Sequence, residues 1–490
     1  MASVRDVMQE PAWKVEDLGH PLPDSAHACS VCLPTWESVI DYEESRDKVM
    51  RRLRAGYPRF IFNPHVAALC QKAESSIARN GERVVVFGMR AAAQRAQRFV
   101  EKRHSAASRI ASFDGFQALA VSEEAYQTAF NYWRFSGEVV SSRRAEDYLT
   151  GAEPGDDADI VAYLARKFVC PKSLLFLYES GMAGFFSIHR VVTSLAPGKK
   201  TLQLDFPYVD ALKVQENFGS GVVFLPEARG EHFQEALARL RAGEFAAVFC
   251  ELPSNPLLKS LDLEKLAEAA RIGQVPVIVD DTVTSHHNVD VLPYADAVTT
   301  SLTKWVSGRG DVAAGSVRVN PDSPYAADLA SALEDANPSH SRLYARDARV
   351  LHDNAEGFIK RIKAVNRNGE MLAEYLNEHP AVEKVWYPKL VTRESFDKVR
   401  RKTGGYGGLI SFSLKNSKRA SRVYDALAWN KGPSLGTEFS LACPYTLLAH
   451  YHELDWAEGC GVPSELIRLS AGVEEPENLL STLESALEQA

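Results

Sequence analysis

Four short apolar runs in the middle of the chain each hand over to polar residues able to do chemistry. After SLLFLY comes Glu179-Ser180-Gly181-Met182-Ala183-Gly184, a small turn that opens a helical pattern. Backbone N–H groups at such a helix start suit a phosphate. After AAVFC comes Glu251-Leu252-Pro253-Ser254-Asn255-Pro256, a stiff loop carrying an amide. After VPVIV comes Asp280-Asp281-Thr282, where a carboxylate is costly to bury without a cation or a donor. After DAVTT comes Ser301-Leu302-Thr303-Lys304-Trp305, a lysine set between an apolar run and an aromatic and flanked by hydroxyls. That is a candidate desolvated amine.

Singly, these read as a turn, a loop, a helix cap and a surface charge. As a set in this chain order they are the parts that hold pyridoxal phosphate. A helix start and hydroxyls take the phosphate, a carboxylate keeps the pyridine nitrogen protonated, and a lysine amine forms the Schiff base. No strand is followed by G-x-G-x-x-G, which argues against a dinucleotide oxidoreductase.

The elements that must position these residues follow from the same pattern. Apolar runs (SLLFLY, KTLQLDF, GVVFL, AAVFCEL, VPVIVDD, ADAVTTSL, GSVRVN) alternate with helical stretches such as FQEALARLRAG and LEKLAEAARIG. This predicts an α/β fold with a mostly parallel central sheet and helices on both faces. Ligands in such sheets bind beyond the carboxyl ends of the strands, where the four clusters lie. The chain divides into an extended arm (1–64), an inserted mixed region (65–155), a large cofactor-binding domain (156–345), and a linking helix with a smaller C-terminal α/β domain (346–490). The arm, punctuated by Pro, His and Gly until a helical pattern near Tyr42–Leu53, buries little by itself and should lie on another part of the protein or on a second subunit. A long helix is expected over Arg346–Glu378.

At 490 residues the chain is too long for one core, and 45% hydrophobic with 24% charged residues excludes a disordered or repeat-biased protein. A formal charge of -8 argues against nucleic acid as a partner. Seven scattered cysteines imply no disulfide framework, and Cys29-x-x-Cys32 lacks a second pair at metal spacing, so no metal site is expected. There is no signal-peptide h-region and no apolar run long enough to span a bilayer, which points to a cytoplasmic protein without a membrane partner.

Over residues 170–320 the motifs SGMA, E-x-PSNP, VD-x-T and S-x-TK resemble the cystathionine γ-synthase family of pyridoxal-phosphate enzymes, of fold type I. The likeness returns at Ser434-Leu435-Gly436 and at Ile467-Arg468-Leu469-Ser470-Ala471-Gly472. The leader HPLPDSAHACSVCLPTWESVIDYEE and the long insertion look closest to the fungal branch.

The resemblance implies Lys304 as Schiff-base lysine and proton shuttle, and Asp280, with Thr282 nearby, on the ring nitrogen. It implies Ser180, Gly181, Met182, Ser301 and Thr303 at the phosphate, and Tyr208 stacked on the ring, though the usual Y-G-G-T is missing there. Asn255 would lie near the ring hydroxyl and the substrate, with Arg468 and Ser434 on the substrate carboxylate. Tyr57 and Arg59, or alternatively Arg143, would complete the phosphate site from a neighbouring subunit, giving a homodimer or homotetramer with shared sites. The implied reaction is γ-replacement on an O-acyl-L-homoserine through a β,γ-unsaturated intermediate, with cysteine as the default nucleophile. A carbon nucleophile such as a β-keto acid, and a γ- or β-lyase, are the alternatives. The loop Gly308-Arg309-Gly310-Asp311, with its extra charges, is expected to reshape the pocket for the incoming nucleophile.

Overall fold

The computed structural model describes residues 4–105 and 108–490. The inserted region holds three antiparallel strands, β1 (Glu82–Phe87), β2 (Arg109–Phe113) and β3 (Phe116–Ser122), in the order β1-β3-β2. The seven-stranded central sheet follows: β4 (Leu175–Tyr178), β5 (Thr201–Leu204), β6 (Val222–Leu225), β7 (Val248–Glu251), β8 (Val277–Asp280), β9 (Ala297–Ser301) and β10 (Gly315–Val319). Its order is β4-β10-β9-β8-β7-β5-β6, and only β10 runs against its neighbours. The sheet is therefore mostly parallel, and β4, β7, β8 and β9 end on the four polar clusters. A five-stranded sheet of β11 (Val382–Trp386), β12 (Leu409–Leu414), β13 (Asn430–Lys431), β14 (Leu441–Pro444) and β15 (Ile467–Ser470) forms the C-terminal part.

Two helix expectations change. The stretch expected at Arg346–Glu378 forms two helices, Ala345–Glu356 and Phe358–Glu378, parted at Gly357. Glycine weakens the helix there, and the Arg361 guanidinium donates to the carbonyls of Asn354, Val306 and Ser307, fastening the break to the loop that follows Lys304. Near the arm's end, helices cover Trp36–Glu43 and Asp47–Met50 rather than Tyr42–Leu53. The first starts early because Thr35 and Ser38 cap each other reciprocally, and the chain turns at Ser45, whose φ is +53°.

The arm also buries more than its composition suggests. Leu22, Val31, Cys32 and Leu33 are fully enclosed. They are held on the C-terminal domain of the same chain. Leu33 N–H donates to the Lys431 carbonyl at 2.9 Å, Ala12 N–H to Asn430 Oδ1 at 2.8 Å, and Tyr424 Oη to the Leu33 carbonyl at 2.7 Å. Burial pushes the Cys29 and Cys32 thiols up to about 12, so both are inert.

A buried acid is one of the links between the inserted region and the central domain. Glu138, after the helix Glu123–Ser136, accepts from Arg95 Nε at 3.0 Å, Tyr132 Oη at 2.6 Å and Arg342 at 3.1 Å. Arg342 also pairs with Glu179, one residue before the phosphate-type turn. Burial pushes the Glu138 carboxyl up, but Arg342 and Arg95 outweigh it and hold it at about 2. Removing one member leaves buried charge unpaired. Glu138→Gln is expected to lose about 3–5 kcal/mol at neutral pH, measured by urea unfolding. Because the folded pKa is depressed, the loss should shrink as pH falls below the usual carboxylate range towards 2.

Candidate active site

The ends of β4, β7, β8 and β9 open into one cavity, with about 1180 Å³ of space counted out into its mouth. Lys304 lies within it, only 6% exposed. Its Nζ donates to Tyr57 Oη and to Ser434 Oγ, each at 2.9 Å, and lies 4.7 Å from the centre of the Tyr57 ring. Gly436, at φ +77°, lets the opposite loop pass close: a Cβ there would stand 2.9 Å from Lys304 Cβ. Ser434 itself holds a φ of +98°, strained for a non-glycine residue, and this aims its hydroxyl at the amine.

Strand alternation separates the two adjacent aspartates. Asp281 turns away from the cavity and pairs with Arg318 and Thr300. Asp280 turns into it, accepting from Thr282 N–H at 2.8 Å and Thr299 Oγ1 at 3.0 Å, with no cation paired to it among the described residues. Burial raises its carboxyl to about 6 against these hydrogen bonds. Thr299 is the residue paired with Asp280 across β8 and β9. Glu251 follows the same logic. Its Oε1 accepts from Tyr208 N–H at 2.7 Å, its Oε2 is buried without a partner among the described residues, and burial, with the nearby Asp280 charge, pushes its carboxyl well above the ordinary carboxylate range.

At the helix Gly181–Leu195, the N–H groups of Gly181 and Met182 have no acceptor among the described residues. Gly181 abuts Ser301 so closely that a Cβ would meet Ser301 Cβ at 2.7 Å. The Ser301 hydroxyl is free at this turn, while Thr282 Oγ1 accepts the Ser301 N–H at 2.8 Å. Two expected ligands are engaged elsewhere. Ser180 Oγ caps Ala183 N–H at 3.1 Å and donates to the Gly137 carbonyl of the inserted region, and Thr303 Oγ1 accepts from Ala314 N–H at 2.9 Å. Each satisfies a nearby backbone group first.

On the opposite wall, Arg468 donates to Asn255 Oδ1 at 3.0 Å and to the Ser434 carbonyl at 2.8 Å, beneath the Tyr445 ring at 4.5 Å. Tyr208 lines the cavity, and its hydroxyl accepts from Arg59 at 2.7 Å. Arg59 is also paired with Asp210. Burial pushes the Tyr57 phenol up, but the charges of Lys304 and Arg59 bring it below its ordinary value.

The structure places three further sets of expected residues. Tyr57 reaches Lys304, and Arg59 reaches Tyr208 and Asp210, all within the same chain, because the arm is pinned to its own C-terminal domain. Arg143 does not approach the turn; it is locked to Asp347 at 3.0 Å and to the Asp311 carbonyl. Arg309 points outwards to Glu438 at 3.1 Å, and Asp311 accepts from Asn354 at 2.9 Å, so neither lines the cavity. Sequence reasoning also gave no role to Thr299, Glu251, Tyr445 or Asp210. Thr299 could have been found from its i, i+2 spacing to Ser301, but its opposition to Asp280 is a matter of strand register.

These residues fit pyridoxal phosphate. An acid lacking a cation, free helix-start N–H groups beside a free hydroxyl, and a buried amine share one cavity. Fold and site together define a pyridoxal-phosphate enzyme. The chain belongs to the Cys/Met metabolism PLP-dependent enzymes, whose family model matches residues 173–488, while a fungal trans-sulfuration enzyme N-terminal domain matches 65–141. It is 31% identical to a cystathionine gamma-synthase of Neurospora crassa, over 97% of this chain and 98% of that one. It is 30% identical to an L-2-amino-4-chloropent-4-enoate dechlorinase/desaturase of Streptantibioticus cattleyicolor, over 96% and 98%. Among solved structures, the cystathionine gamma synthase of Xanthomonas oryzae in complex with cystathionine aligns with a TM-score of 0.55 at 25% identity, covering 64% of this chain and 81% of that one.

Two outcomes follow. Cofactor-free Asp280→Asn should be more stable than the wild type by about 1–2 kcal/mol at pH 8 and no more stable near pH 4, since a raised carboxyl destabilises only where it must ionise; urea melts at both pH values measure this. Co-expressing Arg59→Ala with Lys304→Ala chains reads out whether the site is shared: activity no higher than that of Arg59→Ala alone marks a site built within one chain, and regained activity marks one shared between subunits.

Proposed function

We propose that this chain catalyses γ-replacement on an O-acyl-L-homoserine with the thiol of cysteine, forming cystathionine in a reducing, cytoplasmic compartment. The observation that carries the reading is the position of the Lys304 amine, between Tyr57 and Ser434 and in one cavity with the Arg468–Asn255 pair. The family and the Neurospora crassa relative support it. All seven cysteines are free, and no helix among the described residues is long and apolar enough to cross a membrane.

Bound pyridoxal phosphate supplies an electron sink for the bonds at the substrate's α- and β-carbons. Gly181 and Met182 N–H groups and the Ser301 hydroxyl would hold its phosphate, Asp280 its ring nitrogen, and Tyr208 a face of the ring. Thr282 and Thr299 fix the Asp280 carboxylate, and Asn255 and Ser434 orient Arg468 for a bidentate grip on the substrate carboxylate. Lys304 would serve as the base that takes the proton from the substrate's α-carbon. Ser434 and Tyr57, each bonded to its nitrogen, orient the amine for that task.

Arg309 and Asp311, which would have favoured a carbon nucleophile, stay outside the cavity, so the thiol is the better reading. Purified enzyme supplied with O-acetyl-L-homoserine should consume it with cysteine and not with acetoacetate. Release of ammonia and a 2-oxo acid without any nucleophile would instead mark a lyase. Lys304→Ala should abolish turnover and the visible absorbance of the bound cofactor together.

A further inference from the structure

The helix Trp36–Glu43 brings one acid to the cavity that nothing in the site uses. Every other acid on this segment has a basic partner. Glu37 and Asp41 meet Arg46 and Lys48, Glu44 meets Arg46 and the Tyr451 hydroxyl, and Asp47 meets Arg51. Glu43 has neither an ion pair nor a side-chain hydrogen bond among the described residues, and with Tyr42 it lines the cavity beside Phe60, Leu448 and Ala449. Its wall is the one that carries Arg468, because the helix Trp36–Glu43 packs on the helix Tyr445–Ala449, whose first ring covers the Arg468 guanidinium.

The cations around the cavity are already committed. Lys304 is bonded to Tyr57 and Ser434, Arg59 to Asp210 and Tyr208, and Arg468 to Asn255 and Ser434. Arg134, whose charge acts on Glu43, lies against the Phe60 ring and 3.3 Å from Asp210. Burial lifts the Glu43 carboxyl to about 7, with Arg134 pulling it back. An unpaired acid in such a place calls for a cation from the ligand.

The proposed reaction offers one. On that reading Asp280 would hold the cofactor's ring nitrogen and the helix start its phosphate. The first amino acid's amino group would be taken up by the cofactor and its carboxylate by Arg468. The ammonium of the second amino acid is the cation left over. We propose that Glu43 is a specificity residue for the second substrate: its carboxylate accepts the ammonium group of an amino-acid thiol and disfavours nucleophiles whose only charge is a carboxylate. The inference rests on the thiol reading given above.

The test compares two thiols that differ in the ammonium group alone, L-cysteine and 3-mercaptopropionate, with O-acetyl-L-homoserine as first substrate. In Glu43→Gln the KM for cysteine should rise about tenfold or more with kcat nearly unchanged, as for loss of one charge-assisted hydrogen bond. The KM for 3-mercaptopropionate should stay the same or fall, and its undiminished turnover, with the cofactor's visible absorbance, shows that the variant is folded and loaded. Glu43→Asp should recover part of the loss. Equal KM changes for both thiols, or none for cysteine, would overturn the role of Glu43 while leaving the thiol reaction standing. A wild-type enzyme that consumes the ester with neither thiol sinks both.

Discussion

A primary amine buried in protein needs partners that neither neutralise it permanently nor leave it bare. Lys304 is given two hydroxyls, Tyr57 and Ser434, and no carboxylate among its hydrogen-bond partners. A carboxylate there would hold the amine as an ammonium in a salt bridge. Hydroxyls satisfy its hydrogen bonds yet leave it free to react. Much of the architecture serves this arrangement. The glycine at 436 lets a loop pass close to the lysine, Ser434 accepts a strained backbone, and a long arm is tied down so that Tyr57 arrives.

The central sheet converts sequence order into a circle of functional groups. Parallel strands end on the same edge, so residues more than a hundred positions apart in the chain meet there. Asp280 and Asp281 show how sharp the conversion is. One step along a strand decides whether a carboxylate enters the cavity or is locked to Arg318 behind it. The register of β8 against β9 adds Thr299 as a second donor to Asp280, while the turn after β8 supplies the Thr282 N–H.

The inserted region is bound to this edge rather than hung from it. Glu138 ties its helix to Arg342, and through Arg342 to Glu179 beside the phosphate-type turn. The carbonyl of Gly137 takes the Ser180 hydroxyl, and Arg134 stacks on Phe60 of the arm. The insertion thus braces both the turn and the segment that delivers Tyr57 and Arg59.

Local residue patterns were enough for the fold class and for the four clusters, because strand–helix alternation, a helix-opening turn and an isolated lysine after an apolar run depend on neighbours in sequence. They also pointed correctly to a pyridoxal-phosphate enzyme of the family to which the chain belongs. What the tertiary structure alone decided depends on distance through space. The hydroxyls of Ser180 and Thr303 are spent on nearby backbone, which their residue types do not reveal. Arg309 turns outwards because Glu438, far along the chain, waits for it there. Tyr57 reaches its own lysine because Ala12 and Leu33 dock on Asn430 and Lys431. Residue type records what a side chain can do, and packing settles which partner reaches it first.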